Sequence, residues 1–434
     1  MNVLVFNCGS SSLKYRLLEM PSERELAGGE AQRVGPKTAE PGRVFHRIGG
    51  VQEAHRADMA DHAAAFEEVM RLLARDPRLV PDAVGHRVVH GGAIFAAPTV
   101  VDSSVLERLE ATRALAPLHN PPAMALMAAC QARYPRLPQV AVFDTAFHAT
   151  IPDYAYTYAV PLALRRDLGI RKYGFHGTSH QFVAEEASRL LGKPMASLNA
   201  VSCHLGSGGA SLCAIVNGQS VDNTMGYSPL QGLVMSTRSG DIDPAVVMNL
   251  LALSGGNGDG VDALLNKRSG VLGLSGVSAD IRDVIASLSG AATGDTRGER
   301  TLEVYLWRIR KYLGAYLTVV GRADAVIFTD TIGETEPHVR WAVCAGLEVF
   351  GLHLDPELNR RATALPTDIA APDSRVRALV IATNEELAIA RQTYATAVKL
   401  RLRPTNECSV VRGNQARLDR HATLRNGQAQ EIVS

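Results

Sequence analysis

The sequence predicts an α/β protein built from two related domains with mixed sheets flanked by helices. Three observations predict it. A strand, glycine-serine turn, strand device occurs once near the N-terminus and again near the middle. Short apolar runs that read as buried strands end in polar residues, and amphipathic helical segments lie between them. The 434 residues also exceed one ordinary domain of roughly 150.

Taken in order, Val3 to Phe6 is an apolar run that ends in Asn7-Cys8-Gly9-Ser10-Ser11-Ser12, and Leu13 to Met20 resumes a strand pattern. The device recurs as Ala200 to Cys203, then His204-Leu205-Gly206-Ser207-Gly208-Gly209, then Ala210 to Val216 and a hairpin-type Asn217-Gly218. Further strand candidates are Val140 to Phe143, ending at Asp144; Ala325 to Phe328, ending at Thr329-Asp330; and Leu379 to Ala382, ending at Thr383-Asn384-Glu385. Ligands of α/β sheets bind beyond the carboxyl ends of strands, so these polar residues stand where chemistry is expected. Leu306, Ile309, Leu313, Leu317 and Val320 share one apolar helix face. Gly255 to Gly260 and Gly290 to Gly298 read as surface loops, and from about Arg401 the chain turns polar and basic, as a loosely ordered tail would.

Lys plus Arg number 45 against 44 Asp plus Glu, so no global field favours nucleic acid or an anionic membrane. An anionic ligand must be met by a local site. Met1 to Asn7 carries no basic leader, and no stretch approaches the roughly 18 apolar residues of a membrane span, which predicts a soluble, cytoplasmic protein. The cysteines Cys8, Cys130, Cys203, Cys213, Cys344 and Cys408 are scattered without metal spacing and read as reduced thiols; Cys8 and Cys203, inside glycine turns, read as small fillers.

Several stretches carry candidate chemistry. Asn7 to Lys14 offers small residues that let a phosphate approach the backbone, hydroxyls at Ser10 and Ser12, and the Lys14 ammonium. It lacks the Gly-Lys-Ser/Thr of a Walker loop. Gly85 to Gly92 places Arg87 between two histidines beside a glycine pair, and Ser236 to Asp241 places Arg238 in a small polar loop. Two arginines so placed suit the clamping of a planar or trigonal anion. Phe143 to His148 adds Asp144 at a strand end, and Tyr173 to His180 adds His176 and His180 in an aromatic-glycine loop. Together these are the ingredients of phosphoryl transfer between two anions.

With these motifs in order, together with Pro117 to Pro122, Thr237 to Pro244 and Thr383 to Glu386, the chain resembles the acetate kinase family of the actin, sugar-kinase and Hsp70 superfamily from Asn7 to about Arg391. The resemblance implies two actin- or ribonuclease-H-like domains around a central cleft. Residues 1–150 would form the N-terminal domain, completed by about 388–400; 151–387 would form the nucleotide-binding domain, and 401–434 the tail. It implies that Arg87 and Arg238 bind the carboxylate and the phosphoryl group in flight, that Asp144 aligns the acceptor, and that His176 stabilises the equatorial oxygens, with His119 and His180 in support. Asn7 and Ser12 would contact phosphate. Glu385, with Asn7 or Asp144, would hold Mg²⁺ or Mn²⁺. Val89, Leu118, Phe175 and Pro229 would form a methyl-sized acyl pocket. His204, Gly206, Ser207 and Gly208 would form a second phosphate loop, and Asp280, Ile281, Arg282, Thr331 and Gly333 would line the nucleotide. ATP/ADP would be the co-substrate, acetate the acid, and a homodimer the assembly.

The chain departs from the family pattern at two places. Ser207 stands where asparagine is usual in the second loop, and Asp330-Thr331 replaces a glycine-rich pair near the adenosine. The added charge and bulk leave open the same chemistry with pyrophosphate or phosphate as phosphoryl partner. Propionate or butyrate as the acid also remains open, as does a catalytically silent nucleotide sensor.

Overall fold

The computed structural model describes residues 1–9, 11–35, 40–117, 119–288 and 296–401. The chain divides into two compact units. The first takes Met1–Ala146, Tyr158–Ile170 and the chain from Asn384; the second takes Phe147–Thr157 and Arg171–Thr383.

Among the described residues the first unit holds an eight-stranded sheet: β1 (Asn2–Cys8), β2 (Ser12–Glu19), β3 (Arg24–Gln32), β4 (Arg43–Ile48), β5 (Val51–Arg56), β6 (Ala83–Val88), β7 (Thr99–Val100) and β8 (Gln139–Phe143). Its order is β5-β4-β3-β2-β1-β6-β8-β7. The strands β1 to β5 form an antiparallel meander, whereas β6 lies parallel to β1 and β8 parallel to β6. The apolar run Val3 to Phe6 is buried on both faces, as a central strand covered by helices must be. On one face Leu4 and Phe6 meet α1 (His62–Leu73) and α2 (Asn120–Arg133) through Phe66, Val69, Leu126 and Cys130. On the other, Val3, Val5, Val140 and Val142 meet Ile389 and Ala390 of the helix Glu385–Arg401. Gly85 is what lets that helix seat on β6, because a Cβ there would stand 2.8 Å from Ile389 Cγ2.

The second unit holds β9 (Ala200–Leu205), β10 (Ala210–Val216), β11 (Gln219–Asn223), β12 (Ala325–Thr329), β13 (Thr367–Asp368) and β14 (Arg377–Val380), in the order β11-β10-β9-β12-β14-β13. Again three antiparallel strands are followed by two that run parallel to the first. The core order of the two sheets is therefore the same, β3-β2-β1-β6-β8 and β11-β10-β9-β12-β14. The recurring strand, turn, strand device marks this duplication.

The helices of the second unit include α3 (Gly177–Leu190), α4 (Pro244–Leu253), α5 (Thr296–Val320) and α6 (Asp330–Thr335). The stripe on α5 is buried at Ile309, Leu313, Leu317 and Val320, with Tyr305 and Tyr316 extending it. One loop reading needs correction. Gly255 and Gly256 do turn with positive φ, but Gly258–Lys267 is helical, started by Asn257 Oδ1 accepting from the Gly260 N–H. A cap satisfying that donor outweighs the low helix propensity of the two glycines. Of the second glycine-rich stretch, 290–295 lie outside the described residues, and 296–298 begin the helix α5 rather than a loop; 402–434 of the tail also lie outside the described residues.

Candidate active site

In the first unit, the parallel neighbours β1, β6 and β8 bring their carboxyl ends together, and Asn7, Arg87 and Asp144 come with them. Arg87 Nε donates to both oxygens of Asp144 at 3.1 and 3.0 Å, and Nη2 donates to Oδ2 at 2.7 Å. Its remaining amine, Nη1, donates to Asn7 Oδ1 at 3.2 Å and lies 3.3 Å from Glu385 Oε2, at the start of the helix Glu385–Arg401. Burial works against the Arg87 charge, but Asp144 and then Glu385 outweigh it and raise its pKa. One guanidinium thus faces two carboxylates.

The glycine turn that ends β1 is held by His62, whose Nε2 lies 2.8 Å from Gly9 O. The sequence reading missed His62 because nothing in its local pattern ties it to that turn. Ser12 opens β2, and Lys14 pairs in register with Asn7. Lys14 is exposed and lines a polar cavity with Arg16, Glu30, Phe45, Arg47 and Glu386. Val89 is half-buried just past β6, and His119 is exposed before α2. Ser10 and Leu118 lie outside the described residues.

The second unit gathers the histidines. His176, at φ +57 before α3, has Nδ1 2.9 Å from Ser211 Oγ, and the same hydroxyl lies 2.8 Å from His180 Nε2. His180 Nδ1 lies 2.9 Å from Ser202 Oγ. The His176 and His204 rings face each other with centroids 4.1 Å apart. His204 Nδ1 lies 2.9 Å from Ser179 Oγ, and Nε2 lies 2.9 Å from Asp330 Oδ2. Burial, reinforced by His148 and His204, lowers the His180 pKa well below the usual histidine value and keeps that ring neutral. The serines between the rings were missed singly, although Ser179 stands inside the Tyr173 to His180 motif.

Arg238 reaches the Gly206 to Gly209 turn of this cluster. Its Nη1 donates to Pro229 O at 2.8 Å and its Nη2 to Gly208 O at 3.2 Å. A Cβ on Gly209 would stand 2.7 Å from Nη2, so glycine is what admits the guanidinium. Ser207 is exposed at the crown of the turn, and Ser236 Oγ donates to Gly208 O at 2.9 Å. Phe175 is buried and Pro229 half-buried in this unit.

On the stretch expected to line the nucleotide, Arg282 Nη2 pairs with Asp280 Oδ2 at 2.6 Å and the backbone N–H of Arg282 donates to Asp280 Oδ1, which starts the helix at Ile281. Thr331 N–H and hydroxyl both donate to Asp330 Oδ1. Glu334 Oε1 accepts from Asp330 N–H at 2.8 Å and from Thr383 N–H at 2.9 Å, tying α6 to the end of β14. The buried Arg340 donates to Gly333 O and Glu334 O from below.

Cys8 and Cys203 do not contribute reactive thiols. Burial pushes Cys8 up to about 12 and Cys203 well above its usual value, so neither ionises near neutral pH.

For the divalent cation that the resemblance implies, the donor set fits. Asp144 and Glu385 offer carboxylate oxygens and Asn7 an amide oxygen around one guanidinium. Mg²⁺ takes such hard ligands, often one or two carboxylates with substrate phosphates completing the shell.

Comparison with known proteins gives this geometry its context. The Acetokinase family model matches residues 2–391. The acetate kinase of Clostridium botulinum (strain 657 / Type Ba4) is 45% identical over 406 residues, which cover 92% of this chain and 100% of that protein. The crystal structure of Porphyromonas gingivalis acetate kinase aligns with a TM-score of 0.85 at 37% identity, covering 91% of this chain and 99% of that one. A propionate kinase from Francisella tularensis subsp. tularensis SCHU S4 aligns with a TM-score of 0.83, also at 37% identity and with the same coverage. Likeness that runs from β1 into the helix Glu385–Arg401 takes in both duplicated sheets and every described cluster above, and on it the chain belongs to the acetokinase family, kinases that transfer a phosphoryl group to a carboxylate.

Proposed function

We propose that the chain catalyses the reversible, Mg²⁺-dependent transfer of the γ-phosphoryl group of ATP to acetate, giving acetyl phosphate and ADP by direct in-line displacement. An acetate oxygen forms the new bond to phosphorus while the bond from phosphorus to the β-bridging oxygen breaks, and ADP leaves with that electron pair. No covalent enzyme intermediate is required.

The observation that carries this reading is Arg238. It is a half-buried guanidinium that donates to the backbone carbonyls of Pro229 and Gly208, beside a glycine turn and His176. Burial depresses its pKa, yet no carboxylate among the described residues neutralises it. Such a cation suits charge that develops on equatorial phosphoryl oxygens. His176, oriented through Ser211, would donate to the same oxygens.

Arg87 would bind the acetate carboxylate. Its grip on Asp144 fixes the guanidinium plane, and the two longer Nη1 contacts, to Asn7 and Glu385, are the ones an incoming anion replaces. Asp144, Glu385 and Asn7 would hold Mg²⁺, which supplies charge neutralisation for the phosphate chain. Ser12 and the Gly206 to Gly208 turn would contact phosphate, and Asp280, Ile281, Arg282, Thr331 and Gly333 the nucleoside. The resemblance assigns contact with the methyl group to Val89, Leu118, Phe175 and Pro229.

A homodimer is the assembly we infer. The helix α4 is apolar along almost its whole length, yet none of its residues is buried; Val246, Met248 and Leu253 are 44%, 64% and 77% exposed. An apolar helix that finds no cover among the described residues is suited to burial against a second copy. No helix among the described residues is long and apolar enough to cross a membrane. The free cysteines favour a reducing compartment, the cytoplasm.

The test traps acetyl phosphate with hydroxylamine from acetate and Mg²⁺, with ATP in one reaction and pyrophosphate in another, and repeats the ATP reaction with propionate. Product from ATP and acetate supports the reading. Product only from pyrophosphate removes the nucleotide, and a preference for propionate moves the acid.

A further inference from the structure

Asp330 occupies an unusual place. It is one of five described non-glycine residues with positive φ, at +62, and His176 in the same cluster is another. Left-handed backbone costs a non-glycine residue energy and persists where surrounding contacts over-determine it, often at functional sites. Here the contacts are explicit. One Asp330 oxygen accepts from Thr331, the other is 2.9 Å from His204 Nε2, and the backbone N–H donates to Glu334. A Cβ on Gly206 would stand 2.5 Å from Asp330 Oδ2, so the carboxylate lies directly against the glycine turn. Although burial opposes ionisation, the His204 and Thr331 contacts hold its carboxyl well below the ordinary range, and it is charged at neutral pH.

The charge balance beside the turn follows. His204 contacts Asp330, Glu334 adds a second carboxyl behind it, and Arg238 has no carboxylate partner among the described residues. A bare phosphate chain entering the turn meets the Arg238 guanidinium and, directly against the turn, the fixed Asp330 carboxylate. A chain whose charge is already reduced by a divalent cation meets far less repulsion.

Resting on the reading of this turn as the phosphate-binding loop of a nucleotide site, we propose that Asp330 is a specificity-determining residue that makes the site select the divalent-metal complex of its nucleotide over the metal-free polyanion.

The experiment measures ADP binding to the full chain by calorimetry, with excess Mg²⁺ and again with EDTA. Asp330→Asn keeps a side chain that tolerates left-handed backbone and can still accept from Thr331. It is expected to tighten metal-free ADP binding about tenfold, the scale of one screened charge pair, with little change for MgADP. His204→Asn removes the imidazole contact to the Asp330 carboxylate and is expected to shift the metal-free to metal-bound ratio the opposite way. Asp330→Gly, which also relieves the backbone, should reproduce the Asn result. An unchanged ratio in Asp330→Asn, or shifts of the same direction in the Asp330 and His204 variants, overturns the proposal while leaving the nucleotide site standing. A wild-type protein that binds ADP under neither condition overturns the nucleotide reading and the proposal with it.

Discussion

Arg87 and Asp144 meet through three N–H···O contacts between 2.7 and 3.1 Å, with Asp144 2% exposed. The pair joins the ends of β6 and β8, so it is a fastening between strands as well as the charged group proposed above to meet substrate. Removing Asp144 leaves a guanidinium that is 20% exposed without its main partner, a change that costs up to about 3–5 kcal/mol where the pair is fully buried. Asp144→Ala is therefore expected to lose both folding stability, read by denaturant midpoint, and turnover. Arg87→Ala should lower kcat at least about a hundredfold. Near-normal turnover in that variant would remove Arg87 from the mechanism.

Arg238 predicts a different balance. Its protein partners are two carbonyls that water can satisfy in its absence, so Arg238→Ala should change stability by no more than about 2 kcal/mol. Turnover should nevertheless fall at least about a hundredfold, as loss of a transition-state cation does. A variant that loses stability and activity in proportion would assign Arg238 a structural role instead.

Those two arginines show what was legible in the sequence. Short stretches rich in glycine and small polar residues drew attention to Arg87 and Arg238, and apolar runs ending in Asp144, Asp330 and Thr383 announced strand ends; the strand ends lie where expected, and Arg238 lies in a loop, but Arg87 stands inside β6, beside its end, rather than in a loop. The twin turns announced the duplication, because each turn joins the first two strands of its sheet. Pairings across long sequence separations were not legible. Asp330 meets His204 because β12 runs parallel to β9 with Thr329 opposite His204, a register that no local pattern encodes. Arg340 was invisible for the same reason: its partners are backbone carbonyls and Asn359, and charge in a sequence ordinarily signals surface.

Arg340 is 1% exposed and donates to Gly333 O, Glu334 O, Asn359 Oδ1 and Asn359 O at 2.8–2.9 Å. Burial depresses its pKa to about 10, still protonated at neutral pH. It closes the carboxyl end of α6, whose other end carries Asp330. Arg340→Met should strand four acceptors and cost on the order of 3 kcal/mol, read by thermal unfolding. The loss should also raise amide exchange in 330–335 before global unfolding; unchanged exchange there would detach Arg340 from α6.

The last prediction concerns pH. His86 is 1% exposed, stacks on Phe6 with centroids 6.1 Å apart, and has Nε2 2.8 Å from the Gln139 side chain. Burial, only partly offset by that hydrogen bond, pushes its pKa from 6.5 down to about 4. His180 is depressed in the same direction. Between these limits the unfolded chain binds protons that the folded chain refuses, so stability falls as pH falls through 6.5 and the loss continues to about 4 for His86. Each such histidine contributes a slope of about 1.4 kcal/mol per pH unit across its window. Carboxylates held low, such as Asp330, lose their contribution only further into acid, so the two regimes separate on a plot of urea midpoint against pH. His86→Leu should flatten the slope between pH 6.5 and 4 whatever its effect on absolute stability. An identical slope in the variant would mean that His86 is protonated in the folded protein.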